Sequence, residues 1–71
     1  MTPPVAPPSS ADRLRDLRLE RNLTPAELGR SIGVSGRTIL ALESGRYTPS
    51  VVLACRLARA LGRPVESVFR P

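Results

Sequence analysis

Apolar residues recur along this chain at the three- and four-residue spacing that places side chains on one face of an α-helix. Four segments show the pattern: Leu14 and Leu17; Leu28 and Ile32; Ile39 and Leu42; and the stripe of Leu53, Ala54, Leu57, Ala58 and Leu61. A short final turn presents Val65, Val68 and Phe69. No segment alternates apolar and polar residues, so no β-sheet is predicted. The pattern therefore predicts an all-α fold of four helices and a short fifth, packed around one core.

Capping residues set the limits of these helices. Thr24, Pro25 and Glu27 form a capping-box sequence at the start of the second helix, with proline at the first helical position. Ser35 and Ser50 are expected to cap the third and fourth helices. The helix ends are predicted at residues that tolerate a left-handed backbone, which are Asn22, Gly33, Gly45 and Gly62.

The first eleven residues differ in composition from the rest. The stretch MTPPVAPPSSA holds four of the eight prolines and no charged side chain. Proline fixes φ and removes a hydrogen-bond donor, so residues 1–11 are predicted to be a disordered, extended N-terminal arm. Residues 12–71 are predicted to form one domain, because a chain of 71 residues is too short for two.

The charge balance indicates the kind of partner. All eleven basic residues are arginine, against six acidic residues, and the formal net charge of +5 favours an anionic partner such as nucleic acid. With no histidine and one cysteine, the chain has no zinc cluster and no histidine-assisted nucleophile. A chain this small also has little room for a substrate pocket of usual size. We therefore expect no enzymatic activity, no metal, no cofactor, no small-molecule substrate and no membrane span.

The remaining polar and sulfur-containing residues have plain structural interpretations. Cys55 lies at the edge of the fourth stripe and is interpreted as a small packed hydrophobe. A lone cysteine suits a reducing compartment, which indicates the cytoplasm. Arg13 and Arg15 are interpreted mainly as solvated surface residues that could also reach a phosphate.

Only Gly33, Val34 and Ser35 separate the second helix from the third, and a link this short produces a helix-turn-helix. Gly29 is small enough to let the two helices approach closely, and Val34 is expected to pack on the core from inside the turn. With these features, LTPAELGRSIGVSGRTILALESGRYTPS resembles the Cro/repressor (XRE-like) helix-turn-helix family. The resemblance continues through ACRLARALGRPVESVF, which is similar to the fourth and fifth helices of that family.

The resemblance implies a compact five-helix bundle of the lambda-repressor-like type. It implies a cytoplasmic, nucleoid-associated transcriptional regulator that binds double-stranded DNA, usually as a homodimer, with helix three (about 36–44) in the major groove. By resemblance, the base-facing positions are Gly36, Arg37, Leu40 and Ala41, and the phosphate contacts are Thr24, Ser35, Thr38, Arg46, Tyr47 and Thr48. Among the base-facing residues, Arg37 can pair with a guanine edge, whereas Leu40 and Ala41 can touch only thymine methyl groups.

Three positions depart from the family pattern. Pro25 stands where many members have a glutamine that contacts phosphate, and Gly29 stands where many have alanine, which costs helix stability but keeps the close approach. Gly36 brings no side chain to the first reading position. Few polar side chains are therefore available to read base edges, and Val52 and Leu40 are expected to be exposed. These two features leave a second hypothesis open. The same fold would then serve as a protein-interaction module, such as an antitoxin or adapter that binds a partner protein.

The resemblance also implies a structural ion pair between Arg18 of helix one and Glu43 at the end of helix three. Each charged residue follows a core leucine, Leu17 or Leu42, so both side chains are expected at the edge of the core. The planar guanidinium of arginine suits a bidentate grip on a carboxylate. The pair would connect helix one to the recognition helix without touching DNA.

Overall fold

The computed structural model of the chain describes residues 10–69. Within this range the chain forms five helices, which are α1 (Ser10–Glu20), α2 (Pro25–Ile32), α3 (Gly36–Glu43), α4 (Val51–Leu61) and α5 (Val65–Val68). No β-strand occurs among the described residues. The predicted all-α, five-helix fold is therefore confirmed.

The predicted capping residues determine where α2 and α3 begin and end. The Thr24 hydroxyl accepts a hydrogen bond from the Glu27 amide, and the Glu27 carboxylate accepts one from the Thr24 amide, which completes the capping box. Ser35 caps α3 by accepting from the Thr38 amide. Gly33 ends α2 with φ of 83°, a left-handed backbone that allows the chain to turn sharply into α3.

The core is built from the predicted apolar stripes. Fully buried side chains come from all five helices, and they are Leu14, Leu28, Ile39, Leu57, Leu61 and Val68. Leu17, Leu23, Val34, Val65 and Phe69 are partly buried and pack against this cluster. α2 packs against both α3 and α4, while α1 contacts α3 and α5. The core therefore holds α3 by one face and leaves the opposite face of that helix outside.

The structure corrects two interpretations of single residues. Cys55 is exposed and not packed, because it lies outside the buried stripe of α4. Arg13 is not simply solvated. Its Nη1 donates a hydrogen bond to the Ser67 carbonyl at 2.8 Å, in a part-buried contact that connects α1 to α5. Arg13 therefore contributes a contact to the fold through Nη1.

The predicted arm over 1–11 lies mostly outside the described residues, as do residues 70–71. α1 begins at Ser10, so the last two residues of that predicted arm are helical. Among the described helices, none combines the length and the apolar character that crossing a membrane requires.

Candidate nucleic-acid interface

α2 and α3 approach each other as closely as their backbones allow. A Cβ atom added at Gly29 would lie 2.5 Å from the carbonyl oxygen of Val34, a separation that real side chains do not show. A Cβ atom at Gly36 would lie 3.1 Å from the backbone nitrogen of Ala26. Gly29 therefore lets the turn pack directly on α2, and Gly36 lets the start of α3 pack on the start of α2.

α3 is divided between a buried and an open face. Ile39 and Leu42 are buried in the core, while Arg37 and Leu40 are exposed and Ala41 is half-buried on the other side. Gly36 differs from these three, because its missing side chain would point toward the start of α2. Three of the four predicted base-facing residues thus share the open face, and the fourth position lies at the α2–α3 contact.

A shallow groove of about 460 Å³ runs beside the open face of α3. Four of its lining residues are predicted to contact DNA, and two are apolar residues outside that prediction. The lining consists of Val34, Arg37, Thr38, Ala41, Tyr47 and Leu53. The structure therefore brings Tyr47 of the following loop next to the recognition helix. The contribution of Val34 and Leu53 to this groove was missed by the sequence reasoning, which assigned both residues to the core.

The two predicted phosphate-binding hydroxyls at the helix starts are exposed but already act as caps. Thr24 Oγ1 accepts from the Glu27 amide at 3.1 Å, and Ser35 Oγ accepts from the Thr38 amide at 3.2 Å. Ser35 Oγ also lies 3.1 Å from Thr38 Oγ1 in a hydroxyl–hydroxyl bond. A hydroxyl that accepts through its oxygen retains a proton to donate, so capping by Thr24 is compatible with a phosphate contact.

The start of α2 has few free amide donors. Pro25 has no N–H, the Thr24 N–H donates to Glu27 Oε1 at 2.9 Å, and the Glu27 N–H is used by Thr24. The Ala26 nitrogen lies near Gly36, since a Cβ atom added there would come within 3.1 Å of it. The hydrogen bond from the Thr24 amide, followed by that from its hydroxyl, lowers the pKa of the Glu27 carboxyl below its ordinary value. The α2 start therefore has a carboxylate beside the Thr24 hydroxyl, and the Thr24 and Glu27 N–H groups are already used within the capping box.

The loop after α3 holds the other three predicted phosphate contacts. Arg46, Tyr47 and Thr48 are all exposed. The backbone of Arg46 is fixed, because its N–H donates to the Ala41 carbonyl at 3.0 Å and closes the end of α3. The Arg46 side chain is therefore attached to a fixed backbone position directly after α3.

Arg18 and Glu43 form a buried ion pair between α1 and α3. Arg18 Nε lies 2.5 Å from Glu43 Oε2, and Arg18 Nη2 lies 2.9 Å from Glu43 Oε1. The side chains are only 9% and 6% exposed. These hydrogen bonds raise the pKa of the Arg18 guanidinium above its ordinary high value. Arg18 Nη1 also donates to the Leu23 carbonyl at 2.8 Å, a contact with no signal in the sequence.

The described geometry defines a class of protein, a compact all-α domain whose helix-turn-helix presents one open helix face. A family model described as "Helix-turn-helix domain" matches residues 11–68, and the chain belongs to this family. It is 53% identical over 57 residues to an uncharacterised HTH-type transcriptional regulator from Methanothermobacter thermautotrophicus, an alignment spanning 79% of this chain and 83% of the relative.

Solved structures share the same fold. The P22 c2 repressor, crystallised in complex with a synthetic operator, has a TM-score of 0.87 at 23% identity, covering 90% of this chain and 97% of that one. The restriction-modification controller protein C.AhdI from Aeromonas hydrophila has a TM-score of 0.80 at 28% identity, covering 84% of this chain and 91% of its own. The predicted membership in the Cro/repressor type of helix-turn-helix family is confirmed.

Proposed function

We propose that this chain is a DNA-binding transcriptional regulator that inserts α3 into the major groove of double-stranded DNA. The observation that carries the proposal is the division of α3, whose inner face is locked in the core while Arg37 and Leu40 stand exposed on the outer face. An α-helix fits the major groove, where base edges are distinguishable. Membership in a family of transcriptional regulators supports the same function. A cytoplasmic, nucleoid-associated location follows from this role.

Within this proposal the residues divide into two roles. Arg37, Leu40 and Ala41 contact base edges, with Gly36 at the start of the reading helix. The backbone is contacted by residues that flank α3 and by the α2 start, namely Thr24, Ser35, Thr38, Arg46, Tyr47 and Thr48. Phosphate contacts set the position of the protein on the duplex, and base contacts provide sequence preference. No catalytic step belongs to this function.

We further infer that the protein binds DNA as a homodimer. Val51 is 81% exposed and Val52 is 62% exposed at the start of α4, directly after the loop that carries Arg46 and Tyr47. Two adjacent exposed valines beside the DNA-facing loop suit a contact with a second copy on the same duplex. Val52→Glu should place a charge in that contact, so it should weaken cooperative binding to a two-half-site operator and leave half-site binding unchanged.

The first experiment is binding-site selection from random duplexes at fixed salt, followed by a salt titration on the selected site. A dimer that makes six to ten phosphate contacts should lose about three to five decades of affinity between 50 and 200 mM salt. Affinity that stays flat over this range, or selection that yields no enriched duplex, would contradict DNA binding.

Arg37→Ala and Arg46→Ala form a matched pair that separates the two roles. Arg37→Ala should relax preference at one base pair in each half-site by roughly 1–3 kcal/mol, because a bidentate contact to guanine is lost. Arg46→Ala should weaken all duplexes about equally and reduce the salt slope, since a phosphate contact carries no sequence information. Equal losses of Arg37→Ala on selected and scrambled duplexes would make Arg37 a phosphate contact.

The second candidate function is a protein-interaction module, such as an antitoxin or adapter. The exposed valines of α4 favour it, since they suit a partner protein as well as a second copy. Under this hypothesis Val52→Glu would abolish partner capture, and the selection experiment would return no preferred duplex.

A further inference from the structure

We propose that α4 carries a second binding surface, which holds an acidic amphipathic helix of a partner protein while α3 is bound to DNA. The surface is formed by Cys55, Arg56, Arg59, Arg63 and Val65, and it is called the α4 basic surface below. The proposal goes beyond DNA binding, because it assigns a partner to a face that contains none of the residues proposed to contact DNA. Only the simultaneous binding of DNA rests on the proposed function.

The exposed face of α4 combines apolar and basic side chains. Val51, Val52 and Cys55 are exposed in the first half of the helix, and Arg56 and Arg59 are exposed in the second half. Arg59 follows Arg56 by three residues, a spacing at which like charges repel each other on a helix. The helix dipole favours a cation at Arg59 in the last turn but not at Arg56. Folding of α4 therefore does not account for this face.

The positive charge of the α4 basic surface is largely unneutralised. Among the side chains of residues 13–69, Arg56 and Arg59 form no ion pair, and Arg63 has only the exposed contact with Glu20 at 3.5 Å. Guanidinium groups bind carboxylates through two parallel hydrogen bonds. An acidic partner would therefore supply the charges that the described part of the chain does not.

The arginines lie between two shallow grooves that also contain apolar groups. One groove, of about 570 Å³, extends from the valines at the start of α4 to Val65 and includes Arg56, Arg59 and Arg63. The other, of about 510 Å³, places Arg56 and Arg59 beside Ile32 at the end of α2. A partner that presents apolar side chains next to carboxylates matches this arrangement. A second DNA duplex matches it less well, because its backbone presents charged phosphates and would leave the apolar groups uncovered.

The spacing of the arginines indicates a helical partner. Arg59 follows Arg56 by three residues and Arg63 follows Arg59 by four, which places all three on one side of α4 and its C-terminal cap. At 1.5 Å per residue, the row from Arg56 to Arg63 spans roughly 10 Å. Acidic residues at three- and four-residue spacing on a second helix repeat these distances, so each carboxylate can face one guanidinium.

The α4 basic surface is separate from the groove beside α3. Of the residues of α4, only Leu53 lines the α3 groove, and the two linings share no residue. A second copy packed with α4 against α4 would bring no carboxylate to the arginines, because α4 has none. A second copy held at Val51 and Val52 would leave the arginines uncovered. A partner helix can therefore bind while α3 contacts DNA.

The test uses Cys55, the only cysteine of the chain, as an exposed reporter within the surface. The rate at which its thiol reacts with the neutral reagent N-ethylmaleimide is measured with and without a synthetic helix. This peptide has about sixteen residues, since shorter helices are marginal in water, and carries glutamates at three- and four-residue spacing beside leucines. Two control peptides replace its glutamates by glutamine or its leucines by serine.

The matched protein variants are Arg59→Glu and Arg15→Glu, which change the net charge equally, and Arg15 is exposed on α1. The peptide should slow the reaction of the wild-type thiol, and both control peptides should leave it unchanged. Arg59→Glu should bind the peptide about tenfold more weakly, because an attraction is exchanged for a repulsion. Arg15→Glu should bind it as the wild type does at physiological salt. Equal weakening by both variants, or full protection by the serine peptide, shows attraction by net charge alone and overturns the proposal.

The remaining outcomes identify a different occupant or separate the inference from the proposed function. Protection by the peptide should persist when the selected operator is bound, and competition between the two overturns the proposal. Protection of Cys55 by a random duplex, or by high protein concentration without peptide, assigns the surface to nucleic acid or to a second copy and also overturns it. Selective DNA binding without protection by the peptide overturns this inference alone. Protection in a protein that selects no duplex supports the surface and contradicts DNA binding.

Discussion

The helix-turn-helix half of the molecule, α2 and α3, is packed more tightly than the half formed by α4 and α5. In the helix-turn-helix half, Gly29 has no room for a Cβ atom, and Glu43 forms a buried ion pair with Arg18 of α1. In the second, Val51 and Val52 stand exposed, and α5 has four residues and no side-chain cap. Each half also forms one ion pair with α1. Glu43 pairs with Arg18 and is buried, whereas Arg63 pairs with Glu20 and is exposed. The fold thus concentrates its constraints where the orientation of α3 is set.

The strongest test of this comparison is Glu43→Ala. Removing one partner of a buried pair can cost about 3–5 kcal/mol, because the remaining charge is stranded. A domain of about sixty residues has roughly 3–9 kcal/mol of total stability. Glu43→Ala should therefore lower the melting temperature sharply and leave much of the protein unfolded at 37 °C in thermal melts followed by circular dichroism.

The control for this prediction is the double variant Arg18→Met with Glu43→Leu. Replacing both charges by apolar groups should cost much less than the sum of the single changes, since no buried charge remains. Additive losses below about 1 kcal/mol would show that the pair contributes little despite its burial.

The contact at Gly29 provides the next largest effect. Gly29→Ala should gain up to about 1 kcal/mol of helix propensity. It should lose more, because overpacking typically costs about 1–3 kcal/mol and the obstacle here is the Val34 carbonyl, which is backbone. Urea unfolding should therefore show a net loss. Gly36→Ala is the graded control, with a smaller loss expected from its 3.1 Å contact. A stabilised Gly29→Ala would show that α2 and α3 can separate freely.

Local signals made most of the fold predictable. The Thr24 capping box, the Ser35 and Ser50 caps and the α4 stripe each depend on residues within one or two turns, so their spacing in the sequence is enough. The close contact at Gly29 also followed from spacing, whereas the outward position of Leu40 followed from the family resemblance.

Long-range contacts were harder to predict. Arg13 reaches the Ser67 carbonyl across 54 residues, because packing decides which polar atoms meet. The contact of Arg18 with the Leu23 carbonyl spans only five residues, but it depends on the turn after α1 and also has no periodic signal. The direction of Gly36 toward Ala26 depends on the angle between two helices, which no spacing reports. The ion pair of Arg18 and Glu43 was accessible only through the family resemblance, since their positions 25 residues apart give no periodic signal.

A pH titration tests the capping box, where the expected effect on stability is smaller. The folded-state pKa of Glu27 lies below its ordinary value because the charged form accepts the Thr24 hydrogen bonds. Its stabilising contribution is therefore complete above the ordinary carboxyl value near pH 4.3 and is lost as pH falls through the lower folded pKa. Glu27→Gln should lower the urea midpoint at pH 7, and its difference from wild type should shrink between pH 5 and pH 3, because the wild-type carboxylate loses its charge there. If the urea midpoint of Glu27→Gln declined with falling pH as steeply as that of the wild type, Glu27 would not be the source of the decline.

The smallest effect is expected from Glu20→Ala. This variant makes the same substitution as Glu43→Ala, but in the exposed arginine–glutamate pair, so the two can be compared directly. Glu20 Oε2 lies 3.5 Å from Arg63 Nη2, and the two side chains are 61% and 53% exposed. Water solvates both partners when the contact is lost, so no stranded charge remains. The expected cost is about 0–1 kcal/mol, and it should vanish in 1 M salt, where exposed charges are screened within about 3 Å.

Glu43→Ala should keep its large cost at the same salt concentration. Equal costs for the two variants, or equal salt sensitivity, would show that burial does not distinguish the pairs and that the helix-turn-helix half is no more constrained than the rest.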